Sequence, residues 1–67
     1  MKIKYDQEVD IILVELAEAI VYESDETKPG IILDYDQDGN IVRIEILDAS
    51  KRTNTPFKFE YEMISGK

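Results

Sequence analysis

Asp38-Gly39 lies between two runs of alternating apolar residues, and it constrains the fold more than any other feature of the chain. Gly accepts a positive φ at little steric cost, so Asp-Gly suits the central positions of a tight hairpin turn. Ile31-Ile32-Leu33-Asp34-Tyr35-Asp36 precedes it, and Asn40-Ile41-Val42-Arg43-Ile44-Glu45-Ile46-Leu47 follows it. With Asp38-Gly39 as a two-residue turn, Tyr35 faces Val42, Leu33 faces Ile44 and Ile31 faces Ile46. One face of the hairpin is then wholly apolar. On the other, Asp34 stands opposite Arg43, an opposite-charge pair that supports the register. A four-residue loop from Asp36 to Gly39 would shift the pairing by two and keep both faces; a slip of one would break them.

The same period of two runs through the rest of the sequence. Lys2-Ile3-Lys4-Tyr5 alternates, and Asp6 to Asp10 reads as a turn because Asp side chains bond nearby backbone amides. Ile11 to Leu16 is a second strand, apolar on both faces, the mark of a strand covered on both sides. Ile20-Val21-Tyr22-Glu23 reads as a third strand, and Ser24 to Gly30 as a polar loop punctuated by Pro29-Gly30. A helix over residues 7–22 is rejected, because Val, Ile and Tyr crowd both of its ends. Asp48 to Arg52 can form one helical turn with Asp48 as N-cap. Phe57, Phe59, Tyr61 and Met63 alternate with Lys58, Glu60 and Glu62, as in a last strand or an extended arm. The fold class expected is mainly β: an antiparallel meander of about five strands, with at most one short helix near residues 48–52. One sheet domain is expected over residues 1–52, and an extension over 53–67.

At 67 residues such a domain buries little of its own surface, and it has no Cys for a disulfide staple. Self-association is therefore expected, with a second copy closing one sheet face. The formal charge is −7, with −5 of it in residues 1–29. Nucleic acid is not expected as a partner, since phosphate binding needs a basic stripe. A basic protein is the partner such a surface would suit. No apolar stretch approaches the roughly 20 residues of a membrane helix. The opening residues run straight into alternating sequence and do not read as a secretory leader, so the cytoplasm is expected.

With no His and no Cys, the usual proton shuttle and the thiolate nucleophile are both missing. Ser24, Ser50 and Ser65 have no His base, and Lys51 or Lys58 would need burial to act as a nucleophile. The expectation is no enzyme, no catalytic residues and no cofactor. Phe57, Phe59 and Tyr61 could stack on bases, but Glu60 and Glu62 between them favour packing. One motif imitates metal chemistry. Asp34, Asp36, Asp38, Gly39 and Glu45 match a whole EF-hand calcium loop, with Ile41 at its hydrophobic position. An EF-hand needs flanking helices, and here strand formers flank the loop. In the hairpin register Glu45 faces Ile32, diagonal to Asp34, and the four carboxylates do not converge. No metal site is therefore assigned, and divalent-metal binding at these four residues stays as the alternative, with carboxylate catalysis behind it.

Tyr5-Asp6-x-Glu8-x-Asp10, and then the run from Gly30 to Ser50 ending Glu45-Ile46-Leu47-Asp48-Ala49-Ser50, resemble the small prokaryotic domain of unknown function 2283 family. The resemblance spans about residues 1–52. Gln7 stands where members often have Pro. The family has no established activity; the resemblance implies a compact sheet and reads Asp34 to Gly39 as a hairpin turn. Genes of this family often lie beside those of small toxins, which implies an antitoxin-like, partner-binding role.

Overall fold

A computed structural model describes residues 1–55 and 58–66 of the chain. Five strands form one antiparallel sheet: β1 (Lys2–Asp6), β2 (Ile11–Glu15), β3 (Glu23–Lys28), β4 (Ile31–Tyr35) and β5 (Ile41–Leu47). One short helix, α1 (Ala49–Arg52), follows them. The chain is mainly β, as its period of two requires.

The spatial order is β1-β2-β5-β4-β3. The expected meander is therefore present in two pieces, the β1–β2 hairpin and the β3–β4–β5 meander, joined edge to edge by β2 and β5. The central hairpin keeps the expected register from Ile31↔Ile46 to Asp34↔Arg43. It departs at Tyr35, which pairs with Ile41 instead of Val42. Val42 is the extra residue of a bulge. Its carbonyl accepts from both Leu16 N and Ala17 N, at 2.8 and 3.3 Å, which ties the end of β2 to β5.

The third strand lies further along than expected. Ile20-Val21-Tyr22 is outside it, and the polar Glu23–Lys28 segment forms β3. The tight Pro29-Gly30 turn sets Lys28 opposite Ile31, so the ladder with β4 overrides the weak strand preference of these residues. A charged strand at a sheet edge also discourages further pairing there. Asp48 is not a side-chain cap: it adopts left-handed backbone, with φ 53°, and makes no capping hydrogen bond. The described residues of the tail, 58–66, form no strand. Phe57 lies outside the described residues. No helix among the described residues is long and apolar enough to cross a membrane.

The registers set two rows of apolar side chains across four strands, Ile3–Val14–Ile44–Leu33 and Tyr5–Ile12–Ile46–Ile31. The opposite face is ionic, with the rows Glu15–Arg43–Asp34–Ser24 and Lys4–Leu13–Glu45–Ile32. β2 is half-exposed throughout, not covered on both faces as its composition suggested. It lies inside the sheet, and among the described residues no further strand or helix beyond α1 is present to form a second layer. Val42 and Ala49 are the buried apolar residues among those described.

Candidate functional site

The ionic face is built around Asp34. Strand alternation turns Asp34 toward Arg43 on β5 and Ser24 on β3. Asp34 is fully buried. It accepts a hydrogen bond from Ser24 Oγ at 2.6 Å and one from Arg43 Nε at 2.7 Å. Arg43 also reaches Glu45 at 3.7 Å, and Lys4 pairs with Glu15 at 3.5 Å. Burial alone would push the Asp34 carboxyl up. Hydrogen bonds with Glu45, Ser24 and Arg43, and the Arg43 charge, outweigh burial and hold it below its ordinary value. Glu45 shifts the other way: its hydrogen bond with Asp34, then burial, then the Asp34 charge raise it, and the Arg43 charge opposes them.

These directions give opposite pH effects. Stability from Asp34 is present above the ordinary carboxylate range and lost as pH falls through its depressed value. Stability from Glu45 is present below that range and lost as pH rises through its elevated value. Glu45→Gln keeps a hydrogen-bond donor toward Asp34 and removes the competing charge. The expected result is a Tm a few degrees above that of the parent chain at about pH 7, with the gap closing toward about pH 4. A pH series of thermal melts followed by circular dichroism checks it, and a gap independent of pH would refute the Glu45 charge as its cause.

The four residues of the calcium-like motif separate. Asp34 and Glu45 come together on the ionic face, while Asp36 holds the hairpin turn. Its Oδ1 accepts from Asp38 N and Asn40 N, both at 2.9 Å, and its Oδ2 accepts from Asn40 Nδ2 at 3.1 Å. These bonds, those of Asn40 foremost, hold the Asp36 carboxyl below its ordinary value. Asp38 is exposed. Among the described residues no three acidic side chains gather as an ion would require. A hollow of about 290 Å³ lies over the ionic face, lined in part by Lys4, Leu13, Arg43 and Glu45. Its cations already have carboxylate partners, Glu15 for Lys4 and Asp34 for Arg43.

A second cluster closes the end of the sheet where α1 begins. Asp10 sits at φ 60°, a left-handed conformation that Asp tolerates better than most residues. Its Oδ1 accepts from Tyr5 Oη at 2.6 Å and Ser50 N at 3.0 Å, and its Oδ2 from Ser50 Oγ at 2.7 Å. Its carbonyl accepts from Ala49 N at 3.0 Å. Asp10, forty residues away, thus does what Asp48 was expected to do. Hydrogen bonds from Tyr5 and then Ser50 hold its carboxyl below the ordinary value. Arg52 fastens the other side of α1, donating from Nε to Leu47 O at 2.7 Å and from Nη2 to Pro29 O at 2.6 Å.

Ser24 and Ser50 therefore serve as hydrogen-bonding residues of the frame, and Ser65, Lys51 and Lys58 are exposed. Phe59 and Tyr61 are exposed on the tail. Sequence reasoning found the Asp34·Arg43 pair but missed Ser24, whose role depends on where β3 lies. It also missed the capping role of Asp10. The motif Tyr5…Asp10…Ala49-Ser50 holds that signal, since its residues meet at one end of the sheet.

The family model for Protein of unknown function (DUF2283) matches residues 2–50. That span contains both clusters. No curated protein and no solved structure matches the chain.

Proposed function

The chain belongs to the DUF2283 family, a membership that assigns no chemistry, and we propose that it is a non-enzymatic protein–protein interaction module. The observation that carries this reading is the apolar face of the sheet. Ile3, which is exposed, and Val14, Ile44, Leu33, Tyr5, Ile12, Ile46 and Ile31, which are half-exposed, form two continuous rows, and the described residues add only the short helix α1 to the sheet. Domains are built of packed layers, and a broad apolar face left half-exposed is where a partner can bind.

The charge of −7 adds a second surface of different character. β3 is exposed along its whole length and presents Glu23, Asp25 and Glu26 against a single Lys28. An acidic edge of this kind suits a small basic protein, which is the content an antitoxin-like role would have. Co-expression with the product of the neighbouring gene tests it. A complex that dissociates as salt rises toward about 0.5 M supports the electrostatic part, since exposed charges are screened beyond a few ångströms there. No co-purification and no relief of any toxicity would overturn the antitoxin form.

A further inference from the structure

We propose that the open edge of β1 takes the tail segment 58–63 of a second copy as a sixth, antiparallel strand. This docking site is separate from the apolar face and the acidic β3 edge on which the reading above rests. β1 stands at the end of the strand order, with β2 as its neighbour in the sheet. Its outer side therefore offers a row of N–H and C=O groups to an incoming strand. Lys2, Ile3, Lys4 and Asp6 are exposed along it.

The tail has a strand's pattern and no sheet to belong to. Phe59, Tyr61 and Met63 alternate with Lys58, Glu60 and Glu62. Residues 58–66 nevertheless form no strand, and Tyr61 and Met63 are 84 and 89% exposed. The chain's own tail leaves α1 through a turn in which Lys58 N donates to Thr55 O at 3.1 Å. It does not join β1, so the edge stays open to another copy.

Charge complementarity fixes both the occupant and the register. An antiparallel alignment with Ile3 opposite Tyr61 sets Lys2 against Glu62, Lys4 against Glu60 and Asp6 against Lys58, with Tyr5 opposite Phe59. All three charged residues of β1 then meet an opposite charge. Strand alternation carries Glu60 and Glu62 to the ionic face with Lys2 and Lys4, and Phe59 and Tyr61 to the apolar face. Each apolar row gains one residue. A shift of two places sets Lys4 against Lys58 or Asp6 against Glu60, and a parallel alignment keeps at most two of the three pairs. Two existing contacts allow the exchange. Lys4 pairs with Glu15 at 3.5 Å, but its side chain is 56% exposed and has room for a second carboxylate. The Lys58·Glu60 pair of the tail is exposed and gives way at little cost.

The other edges suit the tail less. β3 would set Glu23, Asp25 and Glu26 against its acids. Two β1 edges paired about a two-fold axis would set Lys4 against Lys4. When two copies exchange tails about such an axis, two added strands form at once and the contact closes on itself.

The experiment is a charge swap on the full chain, read by sedimentation equilibrium from tens of micromolar to about 1 mM, because a short added strand is a small interface. The parent should approach twice 7.8 kDa. Glu60→Lys with Glu62→Lys, and separately Lys2→Glu with Lys4→Glu, should each weaken self-association about tenfold or more. Mixed one to one, the two variants should associate at the parent affinity, since each tail then meets an edge of opposite charge. Net charge does not explain that pattern. The tail variant carries −7 + 4 = −3 and should self-associate better than the parent if overall repulsion governed. The substituted residues are exposed, and circular dichroism melts confirm that each variant is folded. Isotope-filtered NMR on labelled and unlabelled parent chains should show contacts between Tyr61 of one copy and Ile3 of the other. A parent monomeric to about 1 mM, a mixture that does not recover, or Tyr61–Ile3 contacts confined to one chain would overturn the proposal. A tail variant that dimerises like the parent would also overturn it, while leaving the interaction reading of the apolar face standing.

Discussion

Asp34→Ala is expected to leave the chain largely unfolded at 25 °C. Asp34 is the fully buried charged residue of this sheet. Its carboxylate accepts from Ser24 and Arg43 at 2.6 and 2.7 Å. Truncation leaves the Ser24 hydroxyl without that acceptor and Arg43 with the more distant Glu45 and the charge of Glu15 opposite it. Breaking a buried pair by removing one partner costs about 3–5 kcal/mol. The Arg43 side chain is 35% exposed, so water offsets part of this, and the expected loss is about 2–4 kcal/mol. A domain of this size has on the order of 3–10 kcal/mol in total. With Val42 and Ala49 as its buried apolar residues, this chain belongs near the lower figure.

Three variants separate the causes. Asp34→Asn keeps the shape and an acceptor for Ser24, so it should lose less than Asp34→Ala. Arg43→Met alone should be destabilising, because it leaves Asp34 buried without its cation. The double variant Asp34→Leu with Arg43→Met should recover most of the loss, since an apolar pair of similar volume avoids the desolvation of both charges. Urea unfolding followed by circular dichroism measures all of them. An Asp34→Ala chain within about 1 kcal/mol of the parent would show that the ionic row is surface decoration.

The Asp34·Arg43 pair was legible because everything that places it is local. Asp-Gly sets the turn, the turn sets the register, and the register sets the pair across nine residues. The apolar rows follow from the same alternation. What was not legible depends on distant chain. Glu23–Lys28 becomes a strand because β4 offers it a ladder, not because Glu, Ser and Asp favour strands. The pairing of β2 with β5 joins residues 28 to 36 apart, and alternation alone does not choose between possible neighbours. The calcium-like spacing shows the converse. Asp34, Asp36, Asp38 and Glu45 fit an ion only on a loop that curls around it. A hairpin sends Asp36 into its turn and leaves Asp34 and Glu45 on one face.

The same dependence on distant chain gives Gly30→Ala and Gly39→Ala different expected outcomes, although their local backbone is nearly identical. Gly30 and Gly39 have φ of 82° and 86°. Alanine at either pays about 1–2 kcal/mol for the left-handed conformation. At Gly39 a Cβ would meet nothing, so that is the whole expected loss. At Gly30 a Cβ would collide with the guanidinium of Arg52. The side chain is flexible and can move, but moving breaks its bonds to Leu47 O and Pro29 O. Each such bond contributes about 1 kcal/mol, so Gly30→Ala should lose about 3–4 kcal/mol in all. The discriminating measurement is a double-mutant cycle with Arg52→Ala. In that background the bonds are already gone, and Gly30→Ala should cost no more than Gly39→Ala does in the parent chain. Equal losses for the two glycine variants in the parent chain would mean that Arg52 does not fasten α1 to the β3–β4 turn.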